Sequence, residues 1–281
     1  MSMSFMHLHS SFAKKRFIFA PMNENNRITV IIHTYNAEKF LQQVIDTVKD
    51  FDEVIVCDMH STDRTVAIAR ANGCRLLFFD YQGGYAEPAR NYAIHKASCP
   101  WVLEVDADEL VTPELRDYLY QRISEPDCPR GLYIPRQNRM MNQPERNTPG
   151  DYQLRFFIRD GTVWPPNVHS FPIVQGRVER ITKKRDKICL RHLAENYIAD
   201  LVDKTNRYTD GELIKKAHKH YGVFALFERP LWRFFKSYVL GGKVRDGLPG
   251  FISSVMAAFY QFILVAKFIE KRYRKKSEQN L

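Results

Sequence analysis

Residues 28–36 read ITVIIHTYN, and this stretch decides the fold. Every residue in 28–32 is β-branched, the mark of a strand buried on both faces. Residues 38–49 follow with Phe40, Leu41, Val44, Ile45 and Val48 at helical spacing. The strand, turn and helix then recur: strand 54–57 with helix 63–71, strand 76–79 with helix 88–96, and a further strand at 101–105. Strands alternating with helices predict βαβ crossovers, so the expected class is α/β, a mainly parallel sheet flanked by helices on both faces.

Working outward, 281 residues with 44% hydrophobic content can bury a full core and still carry an appended segment. Residues 1–26 lack the order of a signal peptide, because Lys14, Lys15 and Arg16 precede only four apolar residues before Pro21, and they read as a loose leader. Residues 27–220 read as the catalytic domain and 221–281 as a basic, amphipathic helical extension. The five cysteines are odd in number and form no CxxC pair, which suggests neither a disulfide framework nor a zinc site and fits a reducing cytosol. A net charge of +10 requires an anionic partner, whether nucleic acid, acidic lipid or phosphorylated substrate. Residues 126–150 are rich in Pro, Asn, Arg and Met without a period and are expected to form a long loop, followed by strands near 153–158 and 188–190 and a helix over 198–219.

Open α/β sheets bind ligands at the carboxyl ends of their strands. Three polar clusters fall there: Thr34, Tyr35 and Asn36; Asp58 with Ser61 and Thr62; Asp106, Ala107 and Asp108. No GxGxxG follows a strand and no GxxxxGKS/T occurs, which argues against a dinucleotide fold and a P-loop ATPase. In Val105-Asp106-Ala107-Asp108-Glu109 two carboxylates stand at i and i+2, able to point the same way. Hard oxygen ligands so placed suit Mg²⁺ or Mn²⁺, which would neutralise a diphosphate, although acidic residues at a strand end also make ordinary solvated turns. The 61–65 run STDRT reads in part as a helix N-cap. Asp58 is left over from that cap, and its carboxylate suits a uracil NH or a ribose hydroxyl. Arg90 opens a helix after Gly83-Gly84, either as a phosphate ligand or as an exposed arginine. His169 and His192 fall near strand ends, with metal or acceptor roles weighed against plain surface or core histidines; His192 is carried as a third metal-ligand candidate beside Asp106 and Asp108.

The 28–36 stretch, Asp58 with STDRT, Ala89-Arg90-Asn91-Tyr92-Ala93 and WVLEVDADE at 101–109 together resemble the family 2 glycosyltransferases, which have a GT-A fold. DYQLRFFIRDG at 151–161, Val168-His169 and NRYT at 206–209 resemble, more narrowly, the lipopolysaccharide core glucosyltransferase-like subfamily. The likeness spans roughly residues 27–270. It implies a donor site for a nucleotide-diphosphate sugar built from Thr34, Asn36, Glu38, Asp58, Arg90, Asp106 and Asp108, with Tyr35 alongside and Mg²⁺ or Mn²⁺ on the acidic pair. It also implies an inverting displacement by an acceptor hydroxyl, with Asp151 as the candidate general base and Glu109 as the alternative base or metal-side residue. The sequence departs from the family in Met59-His60, where small residues are usual, and in Val168-His169-Ser170, where the subfamily has Val-His-Glu.

From 251 to 269 apolar residues repeat on one helical face, followed by Lys271, Arg272, Arg274, Lys275 and Lys276 and preceded by aromatics interleaved with Arg233 and Lys236. An interfacial helix on an anionic membrane surface fits this better than a transmembrane one, the alternative being a helix packed on the core. The expected partners are therefore a nucleotide-diphosphate sugar, a glycan or glycolipid acceptor and the membrane. Nucleic acid is not expected, because the acidic sheet edge would repel phosphates and the basic run 183–187 matches no binding motif. A nucleotidyltransferase is the remaining rival.

Overall fold

The computed structural model describes residues 24–80, 86–141, 143–145, 151–166, 170–182, 184, 186–195, 197–215 and 219–279. Residues 1–23, Gly83-Gly84 and Val168-His169 lie outside the described residues. The chain runs β1 (Ile28–Thr34), α1 (Leu41–Val48), β2 (Glu53–Asp58), α2 (Thr65–Ala71), β3 (Arg75–Phe78), α3 (Glu87–Lys96), β4 (Trp101–Asp106), β5 (Glu109–Val111), α4 (Pro113–Ile123), β6 (Gly131–Met140), β7 (Gln143–Pro144) and β8 (Tyr152–Ile158). It continues through β9 (Thr162–Val163), β10 (Ile173–Val174), β11 (Val178–Arg180), β12 (Leu190–Glu195), α5 (Ile198–Lys215), α6 (Ala225–Phe235) and α7 (Gly247–Gln279).

The main sheet has the order β3-β2-β1-β4-β8-β6-β12-β5. β3, β2, β1 and β4 are mutually parallel, with Val30 opposite Val54 and Leu103. All seven residues of β1 are buried, as the β-branched run requires of a strand covered twice. Alternation divides them: Val30 and Ile32 pack with Leu41, Val44 and Ile45 of α1, while Ile31 packs with Ala89, Ala93 and Ile94 of α3. This is the helix-flanked GT-A arrangement that the sequence led us to expect. Beyond β4 the sheet becomes mixed, since β8 runs antiparallel to both β4 and β6, and β12 pairs with β6 in parallel and β5 in antiparallel.

The expected loop at 126–150 is corrected: ten of its residues form β6, a strand at the centre of the mixed half. Pro135 and a polar second half disguise it, because proline inside a run argues against a central strand. The proline is tolerated because β6 changes partners there. Pairing with β11 ends at Tyr133 and pairing with β12 starts at Arg136. Element ends also shift: α1 begins at Leu41 rather than 38 and α2 at Thr65 rather than 63, because the residues before each are held in turns by side chains of the facing loop.

The C-terminal extension holds more than one helix. After α6 comes a π-helical turn (Lys236–Leu240), a Gly241-Gly242 turn with Gly242 left-handed at φ 72°, and α7, longer at both ends than the 251–269 segment read from sequence. By length and composition alone, residues 243–274 suffice to cross a membrane.

Candidate active site

The order 3-2-1-4 puts the reversal of winding between β1 and β4, and the crevice of such a sheet opens beyond the carboxyl ends of those two strands. Thr34, Asp58 and Asp106 end β1, β2 and β4, so the three clusters lie on one edge. The loops leaving β1 and β2 interlock. Asn36 N–H donates to Ser61 Oγ (2.8 Å) and Thr62 N–H donates back to Asn36 Oδ1 (2.8 Å). Glu38 N–H donates to Asp63 Oδ2 (3.0 Å) and Arg64 N–H to Glu38 Oε2 (3.0 Å). Asn36 and His60 both adopt left-handed backbone, at φ 50° and 60°, an uncommon conformation that collects at functional loops. Tyr35, next to Asn36, is 56% exposed.

Asp58 is fully buried, and the turn explains more of it than the sequence suggested. Its Oδ1 accepts from Thr34 Oγ1 (2.8 Å) and Ser61 Oγ (2.5 Å), and its Oδ2 from Ser61 N–H (2.8 Å). The carboxylate thus sets the shape of the loop.

Beneath the acidic pair runs a chain of buried charges. His33 Nε2 lies 3.0 Å from Glu104 Oε2, Arg90 Nη1 donates to the same oxygen (2.7 Å), and Arg90 Nη2 donates to Asp106 Oδ1 (2.9 Å). Arg155 of β8 grips Asp106 through both oxygens, and the Arg90 guanidinium lies 4.4 Å from the ring centroid of Trp164. Arg90 is therefore not the exposed arginine the sequence allowed, being only 5% exposed. Burial would raise the Asp106 and Glu104 carboxyls. The neighbouring partners outweigh it, Arg155 and Arg90 for Asp106 and the His33 ring and Arg90 for Glu104, and hold both below the ordinary range. Buried charges survive only when paired in this way.

Asp108 lies partly open, and its Oδ2 is 3.1 Å from His192 Nε2 on β12. The structure brings these two proposed metal ligands together and leaves Asp106 apart, with both oxygens committed to guanidinium groups. Among the described residues no three His, Cys, Asp or Glu side chains form a metal cluster. Asp108 with His192 places one carboxylate donor and one imidazole donor side by side, donor types that Mg²⁺ or Mn²⁺ accepts.

The two base candidates differ. Glu109 is fully buried, accepting from Asp106 N–H (3.1 Å) and Arg136 Nη1 (3.4 Å). Burial first and the Asp106 charge second push its carboxyl up. Asp151 accepts from Arg136 Nε (3.1 Å), Asn138 Nδ2 (2.7 Å) and Gln153 Nε2 (2.8 Å). Burial would raise it, but Arg136 and these hydrogen bonds hold it low. Its side chain keeps 16% exposure, against none for Glu109. The sequence reading missed Glu104 and the pairing of Arg155 with Asp106. A glutamate inside the apolar strand 101–105 was the available signal, since such a charge needs a cationic partner from elsewhere in the fold.

The profile of glycosyl transferase family 2 matches residues 29–174. Over 266 residues, 90% of this chain and 96% of the relative, the sequence is 25% identical to the lipopolysaccharide core biosynthesis glycosyltransferase LpsC of Rhizobium meliloti (strain 1021). Over 260 residues, 87% of each chain, it is 28% identical to an uncharacterized glycosyltransferase of Rickettsia typhi (strain ATCC VR-144 / Wilmington). Among solved structures, S. aureus TarS 1-349 is 16% identical and covers 89% of this chain and 92% of its own, with a TM-score of 0.47. Because the profile spans more than half of the sequence and takes in both interlocked loops, the acidic pair, Arg90 and Arg155, the chain belongs to glycosyl transferase family 2 and is a glycosyltransferase acting with nucleotide sugars.

Proposed function

We propose that this enzyme is an inverting hexosyltransferase, moving a sugar from a UDP-linked donor to a lipid-linked or lipopolysaccharide glycan of the cell envelope with the assistance of Mg²⁺ or Mn²⁺. The observation that carries this reading is the convergence, at the β1/β4 crevice, of a hydrogen-bonded loop pair with a partly open Asp108 and a clamped Asp106. Tyr35 offers an exposed ring to the base, while Thr34, Asn36, Glu38 and Asp58 fix the loops around it. Asp108 and His192 are the residues that would hold the ion, while Asp106, its oxygens held by Arg90 and Arg155, shapes the donor side of the site. A divalent ion there supplies charge neutralisation for the leaving diphosphate. Arg155 and Arg90 hold the Asp106 carboxyl below its ordinary range and fix its direction.

Asp151 is the general base in this reading, because its carboxylate is the one an acceptor hydroxyl can reach. Glu109, with its raised carboxyl, holds a proton more readily but lies behind Arg136 and Asp106. The lipopolysaccharide core role of LpsC supports a lipopolysaccharide acceptor, and the basic extension 221–281 supports peripheral association with the inner face of the cytoplasmic membrane. Nucleic acid has no part in this function. The test is a thermal-shift panel of UDP-, GDP- and dTDP-sugars with and without Mn²⁺, since a ligand bound only by the native state raises its stability by mass action. Metal-dependent stabilisation by UDP-sugars alone, with nucleoside diphosphate as the released product, is the expected result. Release of pyrophosphate from a nucleoside triphosphate would instead make the enzyme a nucleotidyltransferase.

A further inference from the structure

We infer that α6 and α7 act together as a monotopic hairpin, laid flat in the headgroup region of an anionic bilayer with the exposed face of α6, and Trp232 on it, among the acyl chains. This rests on the membrane association proposed above and names the element that makes it.

No residue of α6 is buried. At and beyond its start Phe224, Phe227, Leu231 and Trp232 are 88%, 64%, 69% and 58% exposed, at spacings of three, four and one that keep them on one face. On α7, Leu248, Phe251, Val255 and Phe259 form a second exposed stripe. Phe251 joins the two, because it stays 43% exposed while its ring meets Phe234 and Tyr238 edge-on at 5.6 and 5.7 Å. Soluble monomers rarely leave so large an apolar face to water.

The surroundings choose the occupant. Residues 221–245 carry Arg229, Arg233, Lys236 and Arg245 at the surface against one exposed acid, Glu228, with Lys243 already paired to Glu145. Two such faces brought together as a dimer would set cation against cation, whereas anionic headgroups satisfy the same charges, at about 1 kcal/mol per basic residue. A spanning orientation conflicts with the way α7 is fastened. Near its start Glu145 Oε1 accepts from both Lys243 Nζ and Ser253 Oγ (3.1 Å each), and farther along Lys267 Nζ reaches Asp210 Oδ1 (2.7 Å) and the Asn206 carbonyl (2.9 Å) on α5. Ser253 and Lys267 are about 21 Å apart along the helix, short of the roughly 30 Å of a hydrocarbon core. Both anchor points are tied to polar protein groups, so only one long side of the hairpin is available to lipid.

The chain supplies its own reporter. Of its three tryptophans, Trp101 and Trp164 are buried at 7% and 4% exposure, and Trp232 is the exposed one. The experiment uses the full chain with phosphatidylglycerol/phosphatidylcholine vesicles, with and without brominated acyl chains. Emission is expected to shift to the blue on binding and to be quenched by bromine. A Trp232→Phe variant should bind the vesicles as before and lose the quenching. Phe227→Ser with Leu231→Ser should weaken partitioning by about tenfold or more, given the transfer free energy of two large apolar side chains. Circular dichroism and the nucleotide-sugar thermal shift report that each variant is folded. Binding to vesicles without bromine quenching overturns the α6 placement and leaves membrane association standing. A folded, nucleotide-binding enzyme that ignores the vesicles overturns both. A concentration-dependent dimer that shields Trp232 from acrylamide overturns the lipid in favour of a second copy.

Discussion

Between Ile28 and Val111 the large apolar side chains are mostly inside, and Asp58, Arg90, Glu104 and Glu109 are buried with them. Between Phe224 and Phe262 the arrangement is reversed, with phenylalanine, leucine and tryptophan facing outward and the arginines and lysines beside them at the surface. Both regions are rich in apolar residues and both carry charge. In the sheet the charges are paired with one another under the proposed reaction centre, so each is costly to disturb. In the hairpin the basic charges mostly face solvent, and each is worth little alone. On the proposed reading the enzyme separates chemistry, which needs fixed charge in a dry place, from location at a membrane, which needs many weak and replaceable contacts.

The comparison breaks first at Asp108. Asp108→Asn should abolish sugar transfer and metal-dependent nucleotide binding with little loss of folding stability, because this carboxylate is partly open and held by one histidine; transfer assays with Mn²⁺ and urea melts check both halves. Asp151→Asn is expected to lower turnover by about 10²–10⁴-fold while donor affinity survives, as for a general base. If donor binding collapses instead, or if Glu109→Gln is the more damaging change, Asp151 belongs to the scaffold. Arg155→Met sharpens the other half of the contrast. It leaves Asp106 with one guanidinium and should cost about 3–5 kcal/mol in urea denaturation, while Arg155→Lys should recover part of that loss.

The dependence on pH has two opposite contributions. Asp106 and Glu104 are held low by their partners against burial, so the stability they contribute is present above the ordinary carboxylate range and is lost as pH falls toward their folded values. Glu109 is raised, so its contribution is complete below that range and is lost as pH rises through its folded value. Thermal unfolding from acid to neutral pH should show a steep acid limb, and Glu109→Gln should remove the decline on the other side. The smallest effects belong to the hairpin. Replacing Lys271, Arg272 and Arg274 with Gln should weaken vesicle binding by up to about 1 kcal/mol each, and progressively less as salt rises; co-sedimentation across a salt series measures it.

The parallel half of the sheet was legible because its signals are local: β-branched runs and apolar residues three and four positions apart. Strand β6 was not, since Gly131–Met140 makes sense only beside β8 and β12, which arrive later in the sequence. The same holds at the site. Asp106, Asp108 and Asp58 were visible as carboxylates at strand ends, but nothing near Asp106 announces that Arg155, 49 positions away, will occupy its oxygens. In the extension, the apolar period of α7 was readable, whereas the outward face of α6 depends on where Phe234 and Tyr238 pack.

The interlocked loops also bear on how this chain can change over generations. Asn36 and Glu38 bond to the facing loop through both their backbone N–H and their side chains, and the groups they meet are Ser61, Asp63 and the backbone of Thr62 and Arg64. Positions 36, 38, 61 and 63 therefore form one unit of inheritance, in which a substitution on one side strands a donor on the other until a second substitution follows. Arg64 contributes only its amide, so its side chain is free to drift. With these loops in the nucleotide-binding role proposed above, diversification of donor preference should proceed by exchange of the two loops together, with single changes confined to outward positions such as Tyr35 and Arg64.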